Sequence, residues 1–299
     1  MCLVGSSVGI SRELTTAPLL TAQAVRYTFA ALVLLALARR ARVRLVRPRG
    51  LDWLYLSGVA ALGLVLFNIA IVRGVAHAEP AVIAVAIACV PVVLGIVGPV
   101  LEHRAPSGRV LAAAVAVTAG SALVEGTGHT DAIGLAWAAV ALVCEAAFTL
   151  LAVPVLARHG AWGVSVHTVW IGAVMFAVLG LVTEGPTAAA RLTATDWTAV
   201  AYLALMVTAA AFLLWYSAVA AVGSGTIGLL TGIAPVSAAL VGAALGGQLP
   251  GPSVWAGVAV VLSGLGAGLT RRRSGRSRVA AGTAARTNPV DQKTGDGTS

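Results

Sequence analysis

The hydrophobic positions of the chain form long unbroken runs rather than alternating or one-faced patterns. They cover 1–11, 19–38, 53–72, 81–101, 110–124, 132–157, 164–182, 197–219, 227–245 and 254–269. A membrane-spanning helix needs about 20 apolar residues. A spanning barrel strand would instead show segments of about ten residues of alternating character. The pattern therefore predicts an all-α integral membrane protein of ten transmembrane helices. The polar, basic stretch 271–299 reads as a disordered tail.

Composition removes the soluble alternatives. Hydrophobic residues make up 59% of the 299 positions and charged residues 10%, with a mean hydropathy of +0.93. A soluble domain carries about 25% charged residues, so a soluble enzyme, a nucleic-acid module and a disordered chain are excluded. Cys2, Cys89 and Cys144 have neither disulfide-framework nor metal-ligand spacing. No metal and no cofactor is expected.

The formal charge of +9 comes from arginines collected in loops. If the run 19–38 ends in the cytoplasm, the inside loops hold Arg39, Arg40, Arg42, Arg44, Arg47, Arg49, Arg104, Arg109 and Arg158. The tail adds Arg271, Arg272, Arg273, Arg276 and Arg278. The outside loops hold Arg12, Arg73 and Arg191. Positive charge stays inside, so both termini are expected in the cytoplasm of a multi-pass protein of the cell membrane.

The chain also matches itself at a shift of 144. Residues 52–124 share 16 identities in 73 with 196–268, without a gap, including Asp52-Trp53 on Asp196-Trp197 and Pro91-Val92 on Pro235-Val236. Five helices in each copy would place the copies in opposite orientations, the inverted repeat of secondary transporters. The shift sets Met1 against Glu145. The run 1–11 is too short to cross about 30 Å at 1.5 Å per residue. We therefore expect the first helix to be truncated, with the true start upstream of Met1 and no cleavable leader.

Polar groups inside spans are costly and normally face an interior cavity. The run 19–38 carries Gln23, Arg26 and Tyr27, which share one face at i, i+3 and i+4. Further candidates for substrate or coupling contact are Asn68, Glu145, Thr149, His167, Trp215 and Tyr216. Glu145 is the one acid deep within a run. Pro91 and Pro235, at equivalent positions, are expected to kink their helices. The segment from Gly223 to Gly228 matches a dinucleotide fingerprint but lacks the strand and acid such a site needs. Ser224 has every histidine ahead of it in the chain, the reverse of the order expected for an intramembrane serine protease.

Several stretches together resemble the EamA family of the drug/metabolite transporter superfamily. They are Val4-Gly5-Ser6-Ser7-Val8, Pro18 through Arg26-Tyr27, Val90-Pro91-Val92 with Glu102-His103-Arg104, Phe212 through Trp215-Tyr216, and Ala234-Pro235-Val236. The second copy departs at Gly246-Gly247-Gln248, where the first has Glu102-His103-Arg104, and the Glu-Pro usual in the family's ninth helix is Ala234-Pro235. The resemblance implies two repeats, 1–124 and 132–270, joined by an external loop 125–131. It implies a secondary transporter, by preference an exporter, moving a small metabolite, amino acid or drug by alternating access, with protons as the candidate coupling ion. The alternatives are an intramembrane enzyme and a non-transporting scaffold. The expected partners are a small-molecule substrate and the lipid bilayer, not nucleic acid, with the chain acting as a monomer or homodimer.

Overall fold

The computed structural model describes residues 17–126, 128–244 and 251–269. Among these the chain is helical, and eight helices are long and apolar enough to cross a membrane. We label the helices α1 (Leu19–Arg40), α2 (Leu51–Gly74), α3 (Pro80–Leu101), α4 (Gly108–Glu125), α5 (Ala132–Leu150), α6 (Val153–Thr183) and α7 (Ala194–Val222). They continue as α8 (Ser224–Ile227), α9 (Ile233–Ala244) and α10 (Pro252–Leu269). The run 1–11 and the tail 271–299 lie outside the described residues, as does the question of where translation starts.

Two expected boundaries change. The expected loop at 158–163 shortens to a kink: two helical stretches of α6 meet at Gly160, which at φ +63° leaves helical geometry. Glycine reaches this left-handed region without a Cβ penalty, so one residue suffices to turn the chain. The ninth run is not one helix. It divides into α8, a 3-10 turn over Gly228–Gly232, and α9. At 12 residues, α9 spans about 18 Å at 1.5 Å per residue, less than the hydrocarbon core.

Irregular backbone recurs at the shift seen in the sequence. α2 contains a π-helical stretch, Val59–Leu66, and α7 contains another, Leu203–Ala210. Both ends of the two stretches are 144 positions apart. α3 is interrupted at Cys89, between Pro80–Ala88 and Val90–Leu101. Pro91 has no N–H to give, so the ladder loosens just before it. The Thr118 hydroxyl donates to the Ala88 carbonyl at 2.8 Å and satisfies that acceptor at the break. Pro235 likewise follows the 3-10 turn. Asp52 and Asp196, also 144 apart, each accept a backbone N–H from three residues before, Arg49 at 3.0 Å and Thr193 at 2.8 Å.

The packing repeats in the same way. α4 and α10 cross where small residues let backbones meet, as helices do in lipid. A methyl built on Gly120 would stand 2.8 Å from the Gly257 carbonyl oxygen and the Val261 nitrogen. One on Gly264 would stand 3.2 Å from the Ala113 oxygen and the Val117 nitrogen, the same atoms 144 positions earlier. The largest core joins α1, α2, α6 and α7 around Leu34, Val59, Val169, Phe176 and Tyr216. Tyr27 stacks on Phe176 with 5.3 Å between ring centres.

Candidate functional site

The polar face of α1 meets the second π-helical stretch directly and the first by way of Asn68. Gln23 Nε2 donates to Asn68 Oδ1 at 2.9 Å, and Asn68 Nδ2 donates to the Leu64 carbonyl at 2.7 Å. Leu64 belongs to the first π-helical stretch, where the ordinary ladder is broken and a carbonyl can accept a side chain. Arg26 Nε donates to Thr208 Oγ1 at 2.9 Å. Thr208 belongs to the second stretch, 144 positions from Leu64. Arg26 Nη1 reaches Gln23 Oε1 at 3.4 Å, and the guanidinium lies over the Tyr27 ring at 5.2 Å. Gln23, Arg26, Tyr27 and Asn68 thus form one constellation. Thr208 joins it, although one hydroxyl in an apolar run carries no mark of its role.

Glu145 on α5 stands near this group. It lies within electrostatic range of both Tyr27 and Tyr216. Among the described residues it makes no hydrogen bond and no ion pair, so Arg26 is not its partner. Arg26, Asn68 and Glu145 remain partly exposed, while Gln23 and Tyr27 are buried beneath them.

Thr149, Trp215 and Tyr216 have a different place. Trp215 Nε1 donates to Thr149 Oγ1 at 3.0 Å, and Tyr216 Oη donates to the Phe148 carbonyl at 3.0 Å. All three side chains are buried. Trp215 has a single donor and has used it, so this pair and the Tyr216 bond tie α7 to α5. Phe148 and Phe212, 4.9 Å apart edge to face, complete that aromatic seam.

His167 is not part of the constellation. Its Nε2 bonds the Val46 carbonyl at 2.9 Å and its Nδ1 accepts from Trp170 Nε1 at 3.2 Å. This fastens the 41–50 segment against the middle of α6. The repeat pairs His167 with Gln23 in sequence, but the arginine-rich segment folds over α6 and takes the imidazole for itself. Beside it, Arg158 donates to Asp52 at 2.6 Å. His159 Nε2 lies 3.1 Å from the same carboxylate, in an orientation that makes no hydrogen bond.

Two carboxylates join distant parts of the chain. Glu184 accepts from the Leu20 and Thr21 amides, each at 2.8 Å, and from the Thr21 hydroxyl at 2.6 Å. Glu102 accepts from the Ser224 amide at 2.8 Å and hydroxyl at 2.7 Å, and pairs with Arg104. Burial raises the Glu102 carboxyl, but the Ser224 donors and the Arg104 guanidinium outweigh it and hold the group below its ordinary value. Among the described residues no cluster of histidine, cysteine and carboxylate could hold a metal ion.

The model of the EamA-like transporter family matches residues 1–125 and again 132–267. The chain belongs to the EamA-like transporter family. An uncharacterized transporter, YetK of Bacillus subtilis (strain 168), is 28% identical over 249 residues, 80% of this chain and 75% of its own. A probable terminal-alkyne amino-acid exporter of Streptantibioticus cattleyicolor is 29% identical over 259 residues, 85% of each chain. A protein of known crystal structure, 19% identical, superposes with a TM-score of 0.76 over 90% of this chain and 94% of its own. At that identity the superposition bears on the fold alone. The protein is thus a multi-pass membrane protein of a transporter family, and its relatives are named as transporters rather than enzymes.

Proposed function

We propose that the chain is a secondary transporter that exports a small zwitterion of the amino-acid class by alternating access, with Glu145 carrying the coupling proton. The observation that carries this reading is an intramembrane cation, Arg26, set over Tyr27, with a carboxyl, Glu145, in electrostatic range of the same tyrosine and not paired to Arg26. A substrate carboxylate suits the guanidinium's remaining donors. Its amino group suits Glu145 or the face of Tyr27. The name of the Streptantibioticus relative, an amino-acid exporter, agrees with that class.

The architecture proposed is ten helices in two inverted five-helix repeats, 1–124 and 132–270. The coincidence of π-helical stretches, glycine contacts and aspartate caps at one shift supports it. The chain would sit in the cell membrane with both ends in the cytoplasm. The test is flux in proteoliposomes loaded with a mixture of labelled amino acids. Arg26→Gln is expected to lower flux at least tenfold, and Arg26→Lys to restore part of it. Absence of amino-acid flux in the wild-type protein, with export of uncharged compounds instead, overturns the substrate class.

A further inference from the structure

The arginine-rich segment and the lipid-facing side of α1 and α6 enclose a groove that the transport site does not use. The groove holds about 450 Å³, within the range of a ligand pocket, about 300–1,000 Å³. Its wall is apolar: Leu32 and Leu35 on α1, Trp170 and Val174 on α6, and Leu45 from the segment between α1 and α2. Leu32 and Val174 are exposed at 61% and 53%. Bilayer hydrocarbon is the natural neighbour of such a surface.

No arginine lines the groove itself, but three stand next to its lining along the chain. Thr28, Leu32 and Leu35 on α1 all line it, and Arg39 continues that stripe one turn further on. Arg44 and Arg47 flank Leu45 and Val46 along the chain. Arg39, Arg44 and Arg47 are all exposed, and among the described residues their side chains have no partner. A loop that only sets topology has no need of a fixed position. This one is held: the Val43 amide donates to the Ala38 carbonyl at 2.9 Å, and His167 bonds the Val46 carbonyl. Trp170, with its N–H turned to His167 and its ring in the groove wall, suits an interfacial depth.

We propose that this groove seats one anionic phospholipid of the surrounding bilayer, with an acyl chain along α1 and α6 and the headgroup phosphate at Arg39, Arg44 and Arg47. Charge decides between lipids. A zwitterionic headgroup would bring its own cation to these arginines, whereas an anionic one brings only the charge that they lack.

The test is native mass spectrometry of the full chain released from nanodiscs of phosphatidylcholine with one tenth phosphatidylglycerol. One phosphatidylglycerol should be retained per chain in preference to phosphatidylcholine. A cation near an anionic surface is worth roughly fivefold in affinity. The triple change Arg39→Gln, Arg44→Gln, Arg47→Gln should therefore cost on the order of a hundredfold. The single changes Arg44→Gln and Arg47→Gln should each cost about fivefold, and they decide the matter if the triple variant fails to insert. Ala31→Phe, which fills the groove and leaves every arginine, should also release the lipid. Equal retention of the two lipids, unchanged retention in the arginine variants, or displacement of the lipid by soluble glycerol phosphate would each overturn the proposal.

Discussion

Glu145 and Glu102 show how far a carboxylate's meaning depends on its neighbours. Inserting an ionised carboxylate at a helix centre costs about 2.5–3.5 kcal/mol, and Glu145 meets that cost without a partner among the described residues. A group so placed can load and release a proton as a cavity changes sides. Glu145→Gln keeps the shape but cannot ionise. It should abolish transport driven by a pH gradient while leaving substrate exchange largely intact. Full pH-driven transport in that variant would remove Glu145 from the mechanism. Glu102 lies outside the spans and its carboxyl is held low by Ser224 and Arg104. A lowered folded value means that its stabilisation is present above the ordinary carboxylate range. That stabilisation is lost as pH falls through the folded value. The bonds to Ser224 should therefore open only in acid, below the ordinary carboxylate range, and the protection of the Ser224 amide from exchange should fall there. In Glu102→Ala, which removes the acceptor, the same amide should lose its protection at neutral pH as well.

Eight of the apolar runs are legible as spanning helices in the sequence because a run of this length has few other uses. Their irregularities are not. An apolar run is hydrophobic on every side, so it carries no periodicity that separates α from π winding. Only the folded backbone shows that Val59–Leu66 and Leu203–Ala210 are π-helical. This winding sets which way Asn68 and Thr208 face. Deleting Ala61 would turn everything after it by about 100° relative to α1 and carry Asn68 off Gln23. Disulfide cross-linking between Gln23→Cys and Asn68→Cys should be efficient in the parent and lost in the deletion. Membrane insertion should survive. Efficient cross-linking in the deleted chain would show that the stretch absorbs the missing residue.

Across the whole molecule, the crossing of α4 and α10 is the place where the two copies meet with the same atoms. A methyl on Gly257 would stand 2.6 Å from the Gly120 carbonyl oxygen. Backbone cannot yield as a flexible side chain does, and overpacking of this kind costs about 1–3 kcal/mol. Gly257→Val should lower the melting temperature in detergent. Gly266→Ala, with open space around it on the same helix, should not. Reporter fusions test the orientation. Fusions at residue 45 and at the C-terminus should report cytoplasm, and one at Gly128 the outside; a cytoplasmic signal at Gly128 would end the inverted-repeat model.

What the sequence determined by itself is what the bilayer dictates directly. Runs of about 20 apolar residues must become helices, because backbone polar groups find no water there. The arginine bias and the 144-residue shift are likewise written in one dimension. The grouping of Gln23, Arg26 and Tyr27 followed from helical spacing alone. The tertiary structure decided which polar residues have a free hand. Trp215 and Thr149 are spent on each other, and His167 is spent on Val46. Thr208 is drawn to Arg26, and Glu145 is left without a partner among the described residues. The physical reason is that a hydrogen bond joins groups far apart in the chain, as in the 182 residues between Arg26 and Thr208. Which donor meets which acceptor therefore depends on how helices cross and wind, and not on any residue's own neighbours in sequence.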